Sequence, residues 1–358
     1  MEKLIVQTAV GDYRQKVLEE LVKVSGTSFM VLTGKEYFEP STKTKVNLPG
    51  NLYLVKNFFL FKRRLLFQYG VFFKAVSAKS LILEMNPRII SNWLILLSRK
   101  MLGRKTVLWG HAWPRAGRYS KSDNLRNVLR ELGSCIIVYT ESQRLELEQR
   151  MPGKLIIAAP NSLYRKSDMY SLKGKRENFI YVGRLVASKK PQLLISGFSR
   201  FVEMTPNFSG RLIIVGEGPE KADLLELCKE LGISDKVSFE GHISELEILR
   251  DYYANSICSV SPGYVGLSIT QSFSFGVPIL ISKDEPHAPE IEAAIDGSNC
   301  MFFNTDDSDD LAKKLAIFYS NLNEWESKKK DILEHCKLNY SVEHMANRIN
   351  QAFLTCKN

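Results

Sequence analysis

The chain has 358 residues, enough for two domains, and its 44% hydrophobic and 25% charged residues are typical of a folded globular protein. No apolar run approaches the roughly 20 residues that a membrane-spanning helix needs. The six cysteines form no Cys-x-x-Cys pair, and the first residues carry no signal-peptide pattern. We therefore expect a reduced cytoplasmic chain rather than a disulfide or zinc scaffold.

The net charge of +10 is unevenly placed along the chain. Residues 1–170 hold 28 Lys and Arg against 13 Asp and Glu, whereas residues 171–358 hold 21 against 26. Such an asymmetry indicates that the first half meets an anionic partner. No RNA- or DNA-binding signature accompanies the positive charge, so nucleic acid is not expected as that partner.

The densest positive segment runs from Lys56 to Lys79, where basic residues alternate with phenylalanines. Basic residues mixed with aromatics favour docking on an anionic membrane surface, each charge contributing about 1 kcal/mol near the lipid. The chain is therefore expected to be cytoplasmic and peripheral at the inner face of the membrane. A core helix flanked by solvated Lys and Arg is the open alternative.

Strand-like and helix-like stretches alternate along the first half. Helices are predicted between the strands, for instance at Tyr13–Val24 and Ser122–Leu132. The apolar, β-branched stretches that predict strands are Lys3–Val10, Ser28–Thr33, Ser80–Glu84, Lys105–Trp109, Cys135–Tyr139 and Lys154–Ala158. Repeated β–α alternation with continuous apolar strands predicts a parallel sheet covered on both faces.

Polar residues follow two of these strands. Gly11 and Asp12 come after the first strand, and His111 comes shortly after Trp109. A histidine at the carboxyl end of a parallel strand lies where open α/β sheets bind ligands. A structural histidine with satisfied hydrogen bonds is the alternative.

A Ser-, Lys- and Gly-rich stretch at residues 166–178 predicts a linker between a first domain, residues 1–165, and a second, residues 179–340. The second domain opens with a strand followed by Gly183-Arg184-Leu185 and Lys189-Lys190-Pro191. Arg184 offers a planar fork to phosphate oxygens, and Lys189 a mobile point charge. Two cations on one loop beside a helix start can stabilise a departing diphosphate; two solvated charges are the alternative.

The most informative stretch is Ser256 to Glu292, which predicts a strand, a glycine loop, a helix from about Gly266 to Phe275 and a second strand. In α/β folds this unit presents a helix start to an anionic ligand. The amides of Leu267 and Ser268 are the expected first-turn donors. Two earlier glycine turns, at Gly216-Glu217-Gly218 and Phe239-Glu240-Gly241-His242, let the backbone approach a ligand but are weak signals alone.

This series of motifs resembles the retaining glycosyltransferases of family 4, with their G-R-L-x-x-x-K segment and their E-G-F-G-L loop before A-x-G-x-P-V-I. Aligned on Gly276-Val277-Pro278, the family's two glutamates fall on Gly263 and Gln271. Gln271 can still hydrogen-bond ribose hydroxyls, whereas Gly263 offers only backbone. The motif PGYVGL resembles the one found in a sub-branch of surface-polysaccharide enzymes.

The sequence differs from the family's pattern a second time, after the glycine-loop unit. Pro289-Glu290-Ile291-Glu292 and Asp296-Gly297 resemble the family's P-E-I-x-x-D-G with two extra residues. Which of Glu290 and Glu292 faces the cleft is therefore left open, and one of them could supply the carboxylate that is missing at Gly263.

The resemblance implies an α/β protein of the GT-B fold: two facing Rossmann-like domains, an interdomain cleft, and a C-terminal helix, residues 341–358, crossing back to the first domain. It implies retaining transfer of a sugar from a nucleotide-diphosphate donor to a glycan or polyprenyl-linked glycan. The implied catalytic residues are His111, Arg184 and Lys189. The implied binding residues are Arg184, Lys189, Gly266, Leu267 and Ser268 for the diphosphate, Gln271, Gly216, Gly241 and His242 for ribose and base, Gly263, Tyr264 and Glu290 for the donor sugar, and Gly11 and Asp12 on the acceptor side.

No metal or cofactor is expected. The run from Asp306 to Asp310 contains a D-x-D pattern, but its place before an amphipathic stretch favours helix capping. One alternative is a nucleotide-sugar epimerase of the same architecture, for which Asp12 and Glu84 are the only strand-end carboxylates. Another is a non-catalytic subunit that binds a sugar nucleotide or glycan.

Overall fold

The computed structural model describes residues 3–25, 29–114 and 117–356 of the chain. The strands of this part, in chain order, are β1 (Lys3–Gln7), β2 (Phe29–Thr33), β3 (Leu52–Leu54), β4 (Lys56–Leu60), β5 (Leu65–Tyr69), β6 (Ser80–Glu84), β7 (Val107–Trp109), β8 (Cys135–Val138), β9 (Leu155–Ala158), β10 (Asn178–Val182), β11 (Leu212–Val215), β12 (Val237–Gly241), β13 (Ser256–Ser261), β14 (Ile279–Ser282) and β15 (Cys300–Phe303).

The helices of the same part are α1 (Gln15–Ser25), α2 (Phe72–Ser77), α3 (Ile90–Met101), α4 (Ser122–Leu132), α5 (Glu141–Arg150), α6 (Pro191–Met204), α7 (Lys221–Glu230), α8 (Leu246–Ala254), α9 (Ser268–Ser274), α10 (Ser308–Ser320), α11 (Leu322–Asn339) and α12 (Val342–Thr355). The predicted bounds of β6 and α4 are confirmed. Helix α9 begins two residues after the predicted start, since Gly266 and Leu267 form the turn that precedes it. Ser28, the predicted start of β2, lies outside the described residues.

The chain separates into two units. Unit 1 comprises Met1–Leu163 and Val342–Asn358, and unit 2 comprises Tyr164–Ser341. Residues 166–178, where the sequence predicts a linker, belong to unit 2. Met169 is buried in its core, and the Arg176 guanidinium donates to the carbonyl oxygen of Gly276 at 3.1 Å. These two anchors hold the segment against unit 2.

Unit 1 is built on a seven-stranded parallel sheet in the order β3-β2-β1-β6-β7-β8-β9. Alternate residues of β1 enter different cores: Leu4 and Val6 pack on one side, and Ile5 packs on the other. Helix α12 covers the Ile5 side, where it packs against α1 and buries Ile349 and Phe353. The prediction that the C-terminal helix joins the first domain is confirmed.

The segment from Lys56 to Lys79 is not the core helix of the open alternative. It forms an antiparallel hairpin of β4 and β5, followed by the short α2. Burial along β5 alternates with a period of two, as in a strand with one buried face. Leu66 and Gln68 are buried, whereas the residues next to them are more exposed.

Unit 2 contains a six-stranded parallel sheet in the order β12-β11-β10-β13-β14-β15. The chain builds outward from β10 through β11 to β12 and then returns to the other side of β10 with β13. The strand order therefore reverses between β10 and β13, which is where open α/β sheets bind ligands beyond the carboxyl ends of their strands.

No helix among the described residues combines the length and apolarity that a membrane crossing needs. The six cysteines, all of which lie in this part, are free and buried.

Candidate functional site

Three loops of unit 2 meet beyond the carboxyl ends of β10, β13 and β14. They comprise residues 183–190, 262–267 and 283–290, and together we call them the three-loop site. The Tyr264 amide donates to the carbonyl oxygen of Ser188 at 3.0 Å, and the Ala288 amide donates to that of Val265 at 2.9 Å. These backbone bonds join the middle loop to both of its neighbours.

Lys189 is the central cation of the three-loop site. Its Nζ donates to the carbonyl oxygen of Tyr264 at 2.6 Å and lies 4.7 Å from the centroid of the Tyr264 ring. Burial, together with the nearby positive charge of Arg184, lowers the pKa of Lys189 to about 8, and Glu290 opposes this shift. A half-buried ammonium beside a guanidinium is a pair of cations placed to receive an anion.

Arg184 is exposed, but its backbone is held firmly. The Tyr181 hydroxyl donates to the Arg184 carbonyl oxygen at 2.8 Å. Gly216 and Gly218 pack directly under the segment, because Cβ atoms on them would lie 1.8 Å from the oxygen of Gly183 and 2.1 Å from that of Leu185. These glycines therefore position the arginine loop, a role that the sequence reading did not foresee.

The adjacent lysine has a different environment. Lys190 adopts a left-handed backbone conformation with φ 49°, and its Nζ lies 2.6 Å from carboxylate oxygens of both Glu285 and Asp306. The two carboxylates raise the pKa of Lys190. Lys190 thus ties two loops together at the surface, whereas Lys189 faces the three-loop site.

Gly263 is fixed by close packing. A Cβ at this position would lie 2.7 Å from the oxygen of Ser188 and 2.8 Å from the carbonyl carbon of Lys189. Real Cβ atoms do not approach backbone so closely, so a glutamate has no room here. The missing carboxylate is a consequence of how the loops pack.

The structure distinguishes the two glutamates that the sequence left open. Glu290 is only 6% exposed, and its Oε2 would lie 3.9 Å from a Cβ on Gly266. Its charge raises the pKa of Lys189. Glu292 is half-buried. Of these two glutamates, Glu290 is therefore the one that acts on Lys189.

His287 belongs to the site and was not predicted. The Val265 amide donates to its Nδ1 at 3.2 Å, so the ring proton is on Nε2, which donates to the Ser282 oxygen at 2.8 Å. Burial lowers the pKa of His287 and keeps the ring neutral. The only sequence signal was its place just before Pro289-Glu290.

The structure brings together three of the four predicted ribose and base residues: Gly216, Gly241 and His242. Gln271 of α9 donates from Nε2 to the Tyr164 hydroxyl at 2.9 Å, a partner with no sequence signal. Gly241, at the end of β12 with φ 73°, accepts from the Gly216 amide at 2.7 Å. His242 is exposed beside it.

The predicted unit 1 residues lie at strand ends as expected. Gly11 and Asp12 follow β1, and Asp12 is exposed. His111 follows β7, and its ring centroid lies 4.7 Å from that of Tyr139. The Arg126 guanidinium donates to the His111 carbonyl oxygen at 3.1 Å.

Arg14, also missed, is the buried cation of this strand-end region. Its guanidinium carbon lies 4.3 Å from the Trp109 ring centroid, and its Nη2 donates to the Tyr139 hydroxyl at 2.9 Å. Glu84, a candidate acid or base of the epimerase alternative, accepts from the Thr8 amide at 2.8 Å and from the Tyr37 hydroxyl at 3.2 Å. Glu84 therefore joins the ends of β1 and β6.

The aspartate run caps a helix. Asp307 Oδ1 accepts from the amides of Asp309 and Asp310 at 3.0 and 2.9 Å, at the start of α10. Asp309 pairs with Arg200. Capping, favoured from the sequence, is confirmed. Among the described residues no group of three or more His, Cys, Asp or Glu side chains is placed to hold a metal ion.

Known proteins resemble part of this chain in sequence. Residues 165–332 match the profile of the family Glycosyl transferases group 1. The mannosylfructose-phosphate synthase of Agrobacterium fabrum is 28% identical over 138 residues, which cover 36% of this chain and 30% of that protein. An uncharacterized glycosyltransferase of Haemophilus influenzae is 25% identical over 257 residues, covering 67% of this chain and 68% of that protein. The aligned part thus spans less than a third of the first relative.

Solved structures extend the likeness to the whole chain. Anabaena HepE in complex with UDP has a TM-score of 0.73 at 13% identity and covers 99% of this chain and 100% of its own. The lipopolysaccharide outer core galactosyltransferase WaaB has a TM-score of 0.69 at 16% identity and covers 99% of both chains. At such identities the likeness shows the fold. The chain is thus a two-domain α/β protein of the GT-B fold, and residues 165–332 of its second unit are similar to the glycosyl transferases group 1 profile.

Proposed function

We propose that this protein is a retaining glycosyltransferase that moves a sugar from a nucleoside-diphosphate donor to a glycan or polyprenyl-linked glycan. The observation that carries the proposal is the placement of Lys189 beside Arg184 at the strand-order reversal of unit 2. Burial and the neighbouring guanidinium both penalise the charge on Lys189. An anionic diphosphate bound there would relieve both penalties, since it supplies the missing negative charge.

The two cations would also act on the chemical step. The bond between sugar C1 and the diphosphate oxygen breaks, and negative charge develops on the departing diphosphate. Arg184 and Lys189 neutralise that charge, so a divalent metal is not required. The acceptor hydroxyl oxygen bonds to C1 from the leaving-group face, and its proton passes to the departing phosphate, so configuration is retained.

Uridine is the base to test first, because HepE, which shares the fold, is described in complex with UDP. Surface-polysaccharide assembly is the proposed setting. It is in line with the sequence motif at Pro262–Leu267 and with the description of WaaB as a lipopolysaccharide outer core galactosyltransferase. Gly11, Asp12 and His111, at strand ends of unit 1, are the proposed acceptor-side and donor-sugar residues.

The test is a thermal-shift series with UDP-, GDP-, ADP-, dTDP- and CMP-sugars, with and without EDTA, followed by assay of nucleotide release. One diphosphate donor should raise the melting temperature, and EDTA should not change the shift. Arg184→Ala and Lys189→Met should remove the shift and lower turnover at least a hundredfold. The matched control is Lys190→Met, which removes the same charge one residue away and should keep the shift.

Three results would contradict the proposal. A shift that disappears with EDTA would contradict metal independence. Donor binding without nucleotide release in the presence of any acceptor glycan would favour a binding subunit. A normal shift in Lys189→Met would show that the three-loop site is not the donor site.

A further inference from the structure

The hairpin of β4 and β5 presents an apolar outer face. Residues of one face, Asn57 and Phe59 on β4 and Leu66 and Gln68 on β5, turn toward the rest of unit 1. The opposite face carries Phe58 paired with Phe67, and Leu60 paired with Leu65. Phe58, Leu60 and Tyr69 are exposed there.

The turn of the hairpin extends this face. The φ values of Phe61, Lys62 and Arg63 are 51°, 52° and 64°. Residues other than glycine seldom adopt this left-handed backbone conformation. Arg63 holds the turn in place. It pairs with Glu36 and donates to the Phe38 carbonyl oxygen. Its guanidinium carbon lies 3.7 Å from the Phe59 ring centroid. As a result Phe61 projects with 71% of its surface exposed.

Neighbouring elements carry the same kind of side chain. Phe73 of α2 is 84% exposed. Helix α3, which packs against both β5 and α2, exposes Leu94, Leu97 and Met101 at helical spacing. We call the outer face of the hairpin, with Phe61 and Phe73, the hairpin surface.

The charge along this part of the chain is mostly positive. Residues 51–105 contain eleven Lys and Arg and one acidic residue, Glu84, which is engaged with Thr8 and Tyr37 at the end of β6. The exposed basic residues beside the apolar face include Lys56, Lys62, Arg64 and Lys74. One carboxylate, that of Glu36, lies at the turn, where it pairs with Arg63. An apolar face bordered mainly by cations is complementary to a bilayer with anionic headgroups.

We propose that the hairpin surface docks on an anionic lipid bilayer, with Phe61 and Phe73 entering the headgroup region and the surrounding Lys and Arg contacting lipid phosphates. This inference is independent of the proposed donor site, which lies in unit 2. It would bring the chain to a lipid surface whether or not the transfer reaction is as proposed.

The experiment is co-sedimentation of the full chain with phosphatidylglycerol–phosphatidylcholine vesicles and with pure phosphatidylcholine vesicles over a salt series. Binding should require the anionic lipid and weaken with salt. Each charge near the lipid is worth roughly fivefold in affinity. Lys62→Glu with Arg64→Glu should therefore weaken binding at least tenfold, and Phe61→Ser with Phe73→Ser should do the same at low salt.

Matched controls separate the surface from overall charge. Lys229→Glu with Lys330→Glu makes the same charge change on exposed positions of unit 2 and should keep at least half of the wild-type affinity. All variants should retain the donor-induced thermal shift, so failure of docking is distinguishable from failure of the donor site. A Phe61→Trp variant gives a local readout, since brominated lipids should quench its fluorescence.

Three outcomes would overturn the inference. The first is an absence of binding to anionic vesicles at low salt, or a loss of affinity in the unit 2 control that equals the loss in Lys62→Glu with Arg64→Glu. The second is a dimer in solution that dissociates in Phe61→Ser with Phe73→Ser, which would make the surface an interface between two copies. The third is tight RNA or DNA binding that Lys62→Glu with Arg64→Glu removes while vesicle binding is absent.

Discussion

Gly263 and Lys189 lie in backbone contact, although 74 residues separate them in the sequence. A Cβ on Gly263 would lie 2.8 Å from the carbonyl carbon of Lys189. The loop after β13 and the loop after β10 are thus packed too tightly for any side chain at position 263. This contact leaves no room for a glutamate at position 263.

Restoring that glutamate should damage the site. Gly263→Glu should destabilise the fold by about 1–3 kcal/mol, because overpacking forces the backbone of Ser188 and Lys189 apart. It should also remove the donor-induced thermal shift. Gly263→Ala should show a smaller form of both effects. Unfolding in urea and the thermal-shift assay measure them.

Gly266→Ala is the matched control for stability. A Cβ there would meet the Ala288 Cβ at 3.4 Å, an ordinary contact. Its melting temperature should stay within about 2 °C of wild type, using the usual conversion between stability and melting temperature. A Gly263→Glu variant that is as stable as Gly266→Ala and more active than wild type would refute the packing argument.

Removing the Lys189 charge should stabilise the unliganded protein while abolishing donor binding. Its folded-state pKa of about 8 lies below the ordinary value of 10.5, so the charged form is disfavoured in the fold. That cost is fully present below pH 8 and disappears as pH rises toward 10.5. Lys189→Met should therefore raise the free energy of unfolding by about 1 kcal/mol at pH 7. This figure already allows for the lost hydrogen bond to Tyr264 and for the partial solvent exposure of the ammonium. A loss of stability at pH 7 would contradict this.

Donor affinity should depend on pH through the same lysine. A bound diphosphate favours the protonated ammonium, so its pKa rises on binding. Affinity should be flat below about pH 7 and fall by up to tenfold per pH unit above about pH 8. Calorimetry in buffers of different ionisation enthalpy should detect proton uptake at pH 8. Lys189→Arg, charged throughout, should lose this dependence; its persistence would assign the titration elsewhere.

Glu290 should tune Lys189 from its buried position. Its negative charge raises the pKa of Lys189, so Glu290→Gln should lower that pKa. The pH at which donor affinity begins to fall should then move below 8. Glu292→Gln is the matched control and should leave the midpoint unchanged. A purely structural role for Glu290 would change stability without moving the midpoint.

Asp307 should matter for stability and not for catalysis. Asp307→Ala removes the acceptor for two first-turn amides of α10 and should cost about 1 kcal/mol. Turnover with added Mg²⁺, Mn²⁺ or EDTA should match wild type. Loss of activity that excess divalent metal restores would instead assign the aspartate run to metal binding.

The sequence by itself determined the fold class, because alternating apolar strands and helices are a local pattern that each segment carries alone. It also predicted Arg184 and Lys189 as the cations of a donor site, since a cationic loop between a strand and a helix can be recognised from adjacent residues. It placed Gly11 and His111 at strand ends for the same reason.

Only the tertiary structure decided what each of these side chains faces. Lys189 is set apart from Lys190, and Glu290 from Glu292, by burial and charge that come from distant segments. The glycine at position 263 is explained by a backbone oxygen at Ser188, and the neutral ring of His287 by an amide at Val265. The hairpin at Lys56–Tyr69 likewise depended on which residues the rest of unit 1 buries. Packing between segments far apart in sequence decides which side chains are buried, and burial in turn shifts their pKa values. No local sequence pattern contains this information.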